Sequence, residues 1–132
     1  MASDEFDKKN KRIILNYGHT IGHAIESACG YSPRYSHGEA IAIGMLCASR
    51  ISSKLGILKW HDASRIESLI KKCGLPAKIR GLKLQRIYNA LLRDKKFVSG
   101  KNRLVLPVRI GKASVVEGVK RSVIIDSIKV SM

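Results

Sequence analysis

The segment Arg12-Ile-Ile-Leu-Asn16-Tyr-Gly18-His19-Thr-Ile-Gly22-His23-Ala-Ile-Glu26 carries an apolar and a polar periodicity at once. Ile13, Ile14, Tyr17, Ile21, Ala24 and Ile25, with Ala28 just beyond, recur at helical spacing. Projected at about 100° per residue, they fill one side of a helix. Arg12, Asn16, His19 and His23 fall within an arc of about 60° on the other side. The spacing predicts an amphipathic helix from about Lys11 to Cys29, stopped by Gly30. Gly18 and Gly22 flank the polar line. A glycine inside a helix costs ~1 kcal/mol against alanine, so two of them imply close approach of a ligand or of a second backbone.

The polar line has its own chemistry. Two histidines at i, i+4, as in His19-Thr-Ile-Gly-His23, can ligate one metal ion. Thr20 stands where a metalloprotease helix has its glutamate, which argues against that class. The Arg12 guanidinium suits a carboxylate or phosphate, and Asn16 can donate to an oxyanion. The line therefore reads as a site for an anionic, oxygen-rich small molecule beside a metal. His37 is a third candidate, at the start of the next helix, where backbone N–H groups also face anions. His61 has no partner in the sequence and reads as a surface residue.

Outward from this segment, the chain continues as helices. Ser36-His37-Gly38-Glu39 has the spacing of a capping box and predicts a helix start at Ser36. The helix that follows carries Ile41, Met45, Ala48, Ile51 and Leu55 on one face and stops at Gly56. A third helix is expected from about Asp62 to Cys73, with Ile66, Leu69 and Ile70. A fourth is expected from about Leu84 to Asp94, with Ile87, Tyr88, Leu91 and Leu92. Near residues 103–117, two β-rich runs flank Ile110-Gly111-Lys112 and predict a short hairpin, Pro107 marking an edge strand. Ser122 to Val130 reads as a last short helix. The expected class is mainly α, a single multi-helix domain over residues 1–132 with one β-hairpin.

Composition sets outer limits. The chain has 132 residues, 45% hydrophobic and 27% charged, enough to bury a core. Its longest apolar run, Ala40 to Ala48, falls far short of the ~20 residues a membrane span needs. The opening residues are acidic and without an apolar stretch, so no secretory leader is expected. Cys29, Cys47 and Cys73 form no CxxC pair and read as reduced small hydrophobes of a cytoplasmic protein. The formal net charge is +15. Residues 1–49 hold five basic and five acidic side chains, so the whole excess lies downstream. Such a field favours anionic partners: nucleic acid, a phosphorylated metabolite or an acidic neighbouring domain. A basic helical nucleic-acid-binding module is the alternative of another class. It accounts for the charge alone, and the dispersed basic residues and 5% aromatics weigh against it.

The residues quoted above match a family. Arg12 to Glu26 resembles the R-x-x-L-N-x-G-H-T-x-G-H-A-I-E segment of 3-dehydroquinate synthases, and His37-Gly-Glu-Ala-Ile-Ala-Ile-Gly44 is similar to their H-G-E-A-V-A-x-G segment. Gly74-Leu-Pro76, Asp94-Lys95-Lys96, Arg103-Leu-Val-Leu and Ile110-Gly111 follow in the family's order. The resemblance implies the C-terminal, largely helical domain of a shikimate-pathway lyase. That enzyme converts 3-deoxy-arabino-heptulosonate 7-phosphate to 3-dehydroquinate and phosphate with a divalent metal (zinc or cobalt) and NAD. It implies metal ligation by His19 and His37. His23 would be an active-site residue near the phosphate, Arg12 would hold the substrate carboxylate, Asn16 would bind substrate, and Lys95 or Lys96 would bind phosphate. Among related sugar-phosphate cyclases, some act on substrates without a carboxylate, and Arg12 favours the dehydroquinate-forming branch. The resemblance places the NAD-binding α/β domain, a third metal ligand and further catalytic lysines upstream of what this sequence contains. It implies a homodimer for the full-length enzyme and an inactive chain when this part stands alone.

Overall fold

Ser36 opens the longest helix because its side chain and that of Glu39 satisfy each other's backbone. Ser36 Oγ accepts from the Glu39 N–H at 3.1 Å, and Glu39 Oε1 accepts from the Ser36 N–H at 3.0 Å. The expected capping box is therefore formed. A computed structural model of the chain describes residues 16–30, 35–94 and 102–132. Within them lie α1 (His19–Ala28), α2 (His37–Lys54), α3 (Trp60–Lys72), α4 (Leu84–Leu92), β1 (Arg103–Arg109), β2 (Lys112–Glu117) and α5 (Arg121–Val130). This is the mainly helical class with one antiparallel hairpin that the sequence predicts.

Helix α2 is the hub. Helices α1, α3 and α5 and strand β1 all pack against it, while α4 packs on α1 and touches α5. The single apolar face expected for α2 is therefore a correction. Ala40, Ala42, Ile43, Leu46, Cys47, Ala48 and Ile51 are all buried, so α2 is covered around most of its circumference, and Leu55 at its end is exposed. The main core joins Ile21 and Ile25 of α1, Ile43 and Ile51 of α2, Ile87 and Leu91 of α4, Leu106 of β1, and Ile124 and Ile128 of α5. Burying each such side chain is worth roughly 1.5–3 kcal/mol. A satellite cluster of Ala42, Leu46 and Ile70 seats α3 on α2. Leu69 of α3 is 61% exposed and Leu92 of α4 is 43% exposed, so neither is the core residue its spacing suggests.

The first helix differs most from expectation. It begins at His19. Gly18 is its N-cap in the left-handed region, at φ 81°, and residues 16–18 form a turn. A continuous helix through Gly18 is thereby excluded, and Asn16 does not share a helical face with His19 and His23. Residues 11–15 lie outside the described part of the chain, and Arg12 with them.

The hairpin pairs Arg103 with Glu117 and Val105 with Val115, with a bulge between Pro107 and Arg109. Its turn is Ile110-Gly111, one residue shorter than expected, and Gly111 takes the positive φ (83°) that such a turn requires. In a two-stranded sheet both strands are edges, which accommodates Pro107. Its carbonyl accepts from buried Ser52 Oγ at 2.6 Å, fastening β1 to α2. Of the cysteines, Cys47 is buried beside Ser131, but Cys73 is exposed and Cys29 half-buried, so only Cys47 behaves as a core hydrophobe.

Candidate functional site

Three glycines bring two helix backbones together. A Cβ on Gly44 of α2 would collide with the Gly18 carbonyl oxygen and lie 2.8 Å from the Gly22 nitrogen. A Cβ on Gly22 would lie 3.2 Å from the Ala40 oxygen, and one on Gly18 2.7 Å from the Met45 nitrogen. Close approach of a second backbone is thus the reason for the glycines of the first segment. Tyr17 adds a tie by donating to the Met45 carbonyl at 2.9 Å.

This contact sets the start of α2 beside the exposed stripe of α1. His19 and His23 come from α1, one turn apart, and His37 is the first residue of α2. Their ring centroids lie 5.3 Å (His19–His23), 5.9 Å (His19–His37) and 6.0 Å (His23–His37) apart. Glu26, one turn beyond His23, places Oε1 3.1 Å from His37 Nδ1. One ligand atom from each of His23, Glu26 and His37 lies within 4.8 Å of the others. Partial burial, and then the neighbouring His23 and His37, hold His19 below the ordinary histidine pKa, against the opposing pull of Glu26. A neutral imidazole keeps the lone pair a cation needs.

His19 and His23 face an open cleft of about 710 Å³ between α1 and the hairpin. Asn16, His19 and His23 line one side, Arg103 and Val105 another, with Asp94 at the end of α4. Arg103 also pairs with Glu117 at 3.0 Å across the hairpin. Asn16 therefore joins the same cleft as the histidines, from a turn and not from the helix face predicted for it. His61 is exposed beside Trp60, as expected. Lys95 and Lys96 fall outside the described residues, and Asp94 is the last one before them. Glu26 has no role in the sequence reading. Its spacing of three from His23 was a signal, but its partner His37 comes from another helix.

The arrangement suits a divalent metal. Imidazole nitrogens are donors that zinc and cobalt accept, and His19, His23 and His37 lie within reach of one another. Comparison with known proteins agrees in kind. The sequence profile described as 3-dehydroquinate synthase C-terminal matches residues 1–97. The 3-dehydroquinate synthase of Caldanaerobacter subterraneus subsp. tengcongensis is 48% identical over 109 residues, 83% of this chain and 30% of that protein. That of Nostoc punctiforme is 47% identical over 114 residues, 86% of this chain and 31% of that protein. The chain thus spans about a third of the length of these curated relatives. Among solved structures, 2-deoxy-scyllo-inosose synthase complexed with carbaglucose-6-phosphate, NAD+ and Co2+ superposes with a TM-score of 0.81 at 29% identity, over 97% of this chain and 37% of that one. The 2-epi-5-epi-valiolone synthase of Streptomyces hygroscopicus subsp. jinggangensis, with NAD+ and Zn2+ bound, does so with a TM-score of 0.77 at 25% identity, over 88% and 32%. Architecture, ordered motifs and sequence identity converge, and the chain belongs to the 3-dehydroquinate synthase family, as its C-terminal domain.

Proposed function

We propose that this chain is the metal- and substrate-binding part of an enzyme that converts 3-deoxy-arabino-heptulosonate 7-phosphate to 3-dehydroquinate and phosphate. The supporting observation is the gathering of His19, His23 and His37, with ring centroids 5.3–6.0 Å apart, at the edge of a cleft that His19 and His23 line, in a chain whose relatives at 47–48% identity are named for that product. His19 and His37 would hold a divalent metal. When bound, it supplies a Lewis acid that makes a substrate hydroxyl easier to oxidise. His23, more exposed and beside Asn16 on the cleft, is left free to meet the phosphate end of the substrate. Asn16 orients hydroxyls from the turn. Arg12 pairs with the carboxylate, and Lys95 or Lys96 neutralises the leaving phosphate. The carboxylate-binding Arg12 separates this reading from that of a cyclase acting on a sugar phosphate without a carboxylate.

NAD does not fit the residues described. Their only strands form an antiparallel hairpin, and no strand runs into a glycine-rich turn and helix of the kind that cradles a dinucleotide. We assign NAD binding and the third metal ligand to sequence outside these 132 residues. The chain alone is accordingly expected to release no phosphate from the heptulosonate phosphate. No helix of the described residues is long and apolar enough to cross a membrane.

Co2+ titration of the purified chain, followed by its visible absorption, tests the metal assignment. One saturable site, lost in both His19→Ala and His37→Ala, is the expected result. Binding that survives both substitutions would put the metal elsewhere and overturn the ligand assignment.

A further inference from the structure

We infer that Glu26 is a positioning residue: through its hydrogen bond to His37 Nδ1 it fixes the tautomer and ring orientation of that histidine and turns Nε2 toward the cation. The inference rests on the metal reading above, and it deepens that reading by giving a role to a residue not otherwise used.

The geometry carries it in three steps. First, His37 is 61% exposed, at the first position of its helix, so packing alone does not fix its ring. Second, Glu26 is only 16% exposed and sits on the well-packed helix α1, between buried Ile25 and buried Ala28 on the adjoining face, so its carboxylate is the fixed partner. Third, the contact is 3.1 Å, and a carboxylate offers acceptors only. His37 Nδ1–H must therefore donate, which leaves the lone pair on Nε2. A histidine that binds metal through one nitrogen commonly donates the other N–H to a carboxylate, and removing that partner typically weakens metal binding 10–100-fold. His19, His23 and Glu26 lie at i, i+4 and i+7 on α1, so one helical stripe presents two imidazoles to the cleft and one carboxylate to the back of the third.

The alternative is that Glu26 is itself a ligand, with His23 and His37, since their donor atoms lie within 4.8 Å of one another. In that case Nδ1 and Oε1 would face each other as two lone-pair donors, repulsive until a cation arrives. A hydrogen bond from Nδ1–H to Oε1 avoids this repulsion.

The test uses the whole chain with two readouts. Long-range 1H–15N correlation at pH 8 without metal reports the His37 tautomer, and Co2+ titration reports affinity. The parent chain is expected to show His37 as the Nδ1–H form. Glu26→Ala should lose that preference and bind Co2+ about 10–100-fold more weakly. Glu26→Gln, whose amide oxygen can accept the same proton, should keep the tautomer and stay closer to the parent in affinity. An unchanged tautomer in Glu26→Ala overturns the inference. So does a Glu26→Gln variant that keeps the tautomer but loses the metal as completely as His37→Ala, for then Glu26 is a ligand. If the parent binds no Co2+, the metal reading fails, and the tautomer comparison alone still decides whether Glu26 positions His37.

Discussion

Replacing Gly44 with alanine tests whether backbone contact between α1 and α2 builds the site. The added Cβ would collide with the Gly18 oxygen and stand 2.8 Å from the Gly22 nitrogen, where ordinary contact begins at about 3.4 Å. Both atoms are backbone and cannot rotate aside, so α1 must back away from α2 as a unit. Overpacking a close-packed contact costs about 1–3 kcal/mol, and a clash with two backbones belongs at the upper end. Alanine returns ~1 kcal/mol of helix propensity. The net loss is about 2 kcal/mol, which for a chain of this size lowers Tm by roughly 6–10 °C. Gly38 is the internal control: it lies in the same helix, and a Cβ there meets nothing within 4 Å. Gly38→Ala should melt at or slightly above the parent. Gly22→Ala should fall between the two, because its shortest contact is the mobile Ile41 Cδ1 at 2.7 Å. Thermal melts by circular dichroism rank the three variants. Co2+ affinity should fall with Gly44→Ala, since His19 and His37 ride on the two helices being separated. A Gly44→Ala chain that melts with the parent and binds Co2+ equally well would refute the argument.

Two further expectations concern stability. Ser36→Ala removes the cap hydrogen bond at the start of α2 and should cost ~1 kcal/mol in urea unfolding; an unchanged midpoint would mean the box contributes nothing. Burial pushes Cys47 up to about 11 from 9.0 and Tyr17 up to about 12 from 10.0. Both folded values exceed the unfolded ones, so the folded chain holds these protons longer. Their contribution is fully present below pH 9 and is lost as pH rises, by roughly 2–3 kcal/mol together at pH 10.5. Urea midpoints between pH 8 and 10.5 measure it, and Tyr17→Phe should flatten the slope; a slope identical to the parent's would exclude Tyr17 from the effect.

The charge distribution bears on what the domain meets. The basic excess lies downstream of residue 49, yet the cleft gathers opposite charges from distant segments, with Arg103 and Asp94 beside the histidines. The sequence of charges alone does not reveal this mixed lining. Pairing across the fold, such as Lys54 with Asp126 at 3.0 Å and Arg50 with Glu67 at 2.8 Å, uses part of the basic excess within the domain.

What is local could be read from the chain itself. The Ser36 capping box needs residues three apart, the hairpin needs an Ile110-Gly111 turn between β-branched runs, and the helices need apolar residues at i, i+3 and i+4. The family segment Arg12 to Glu26 was legible for the same reason: its chemistry is written within one short stretch. The tertiary structure decided the rest. Periodicity extends a helix through Gly18, but the close pass of α2 at Met45 favours a left-handed turn there, which only glycine adopts without strain. Periodicity gives α2 one buried face, but four elements pack around it. Spacing pairs His19 with His23, but His37 and Glu26 meet across two helices whose distance is set by three glycines. A pattern records which way a side chain points along its own helix. Which helix it faces, and how closely, depends on the packing of the whole domain.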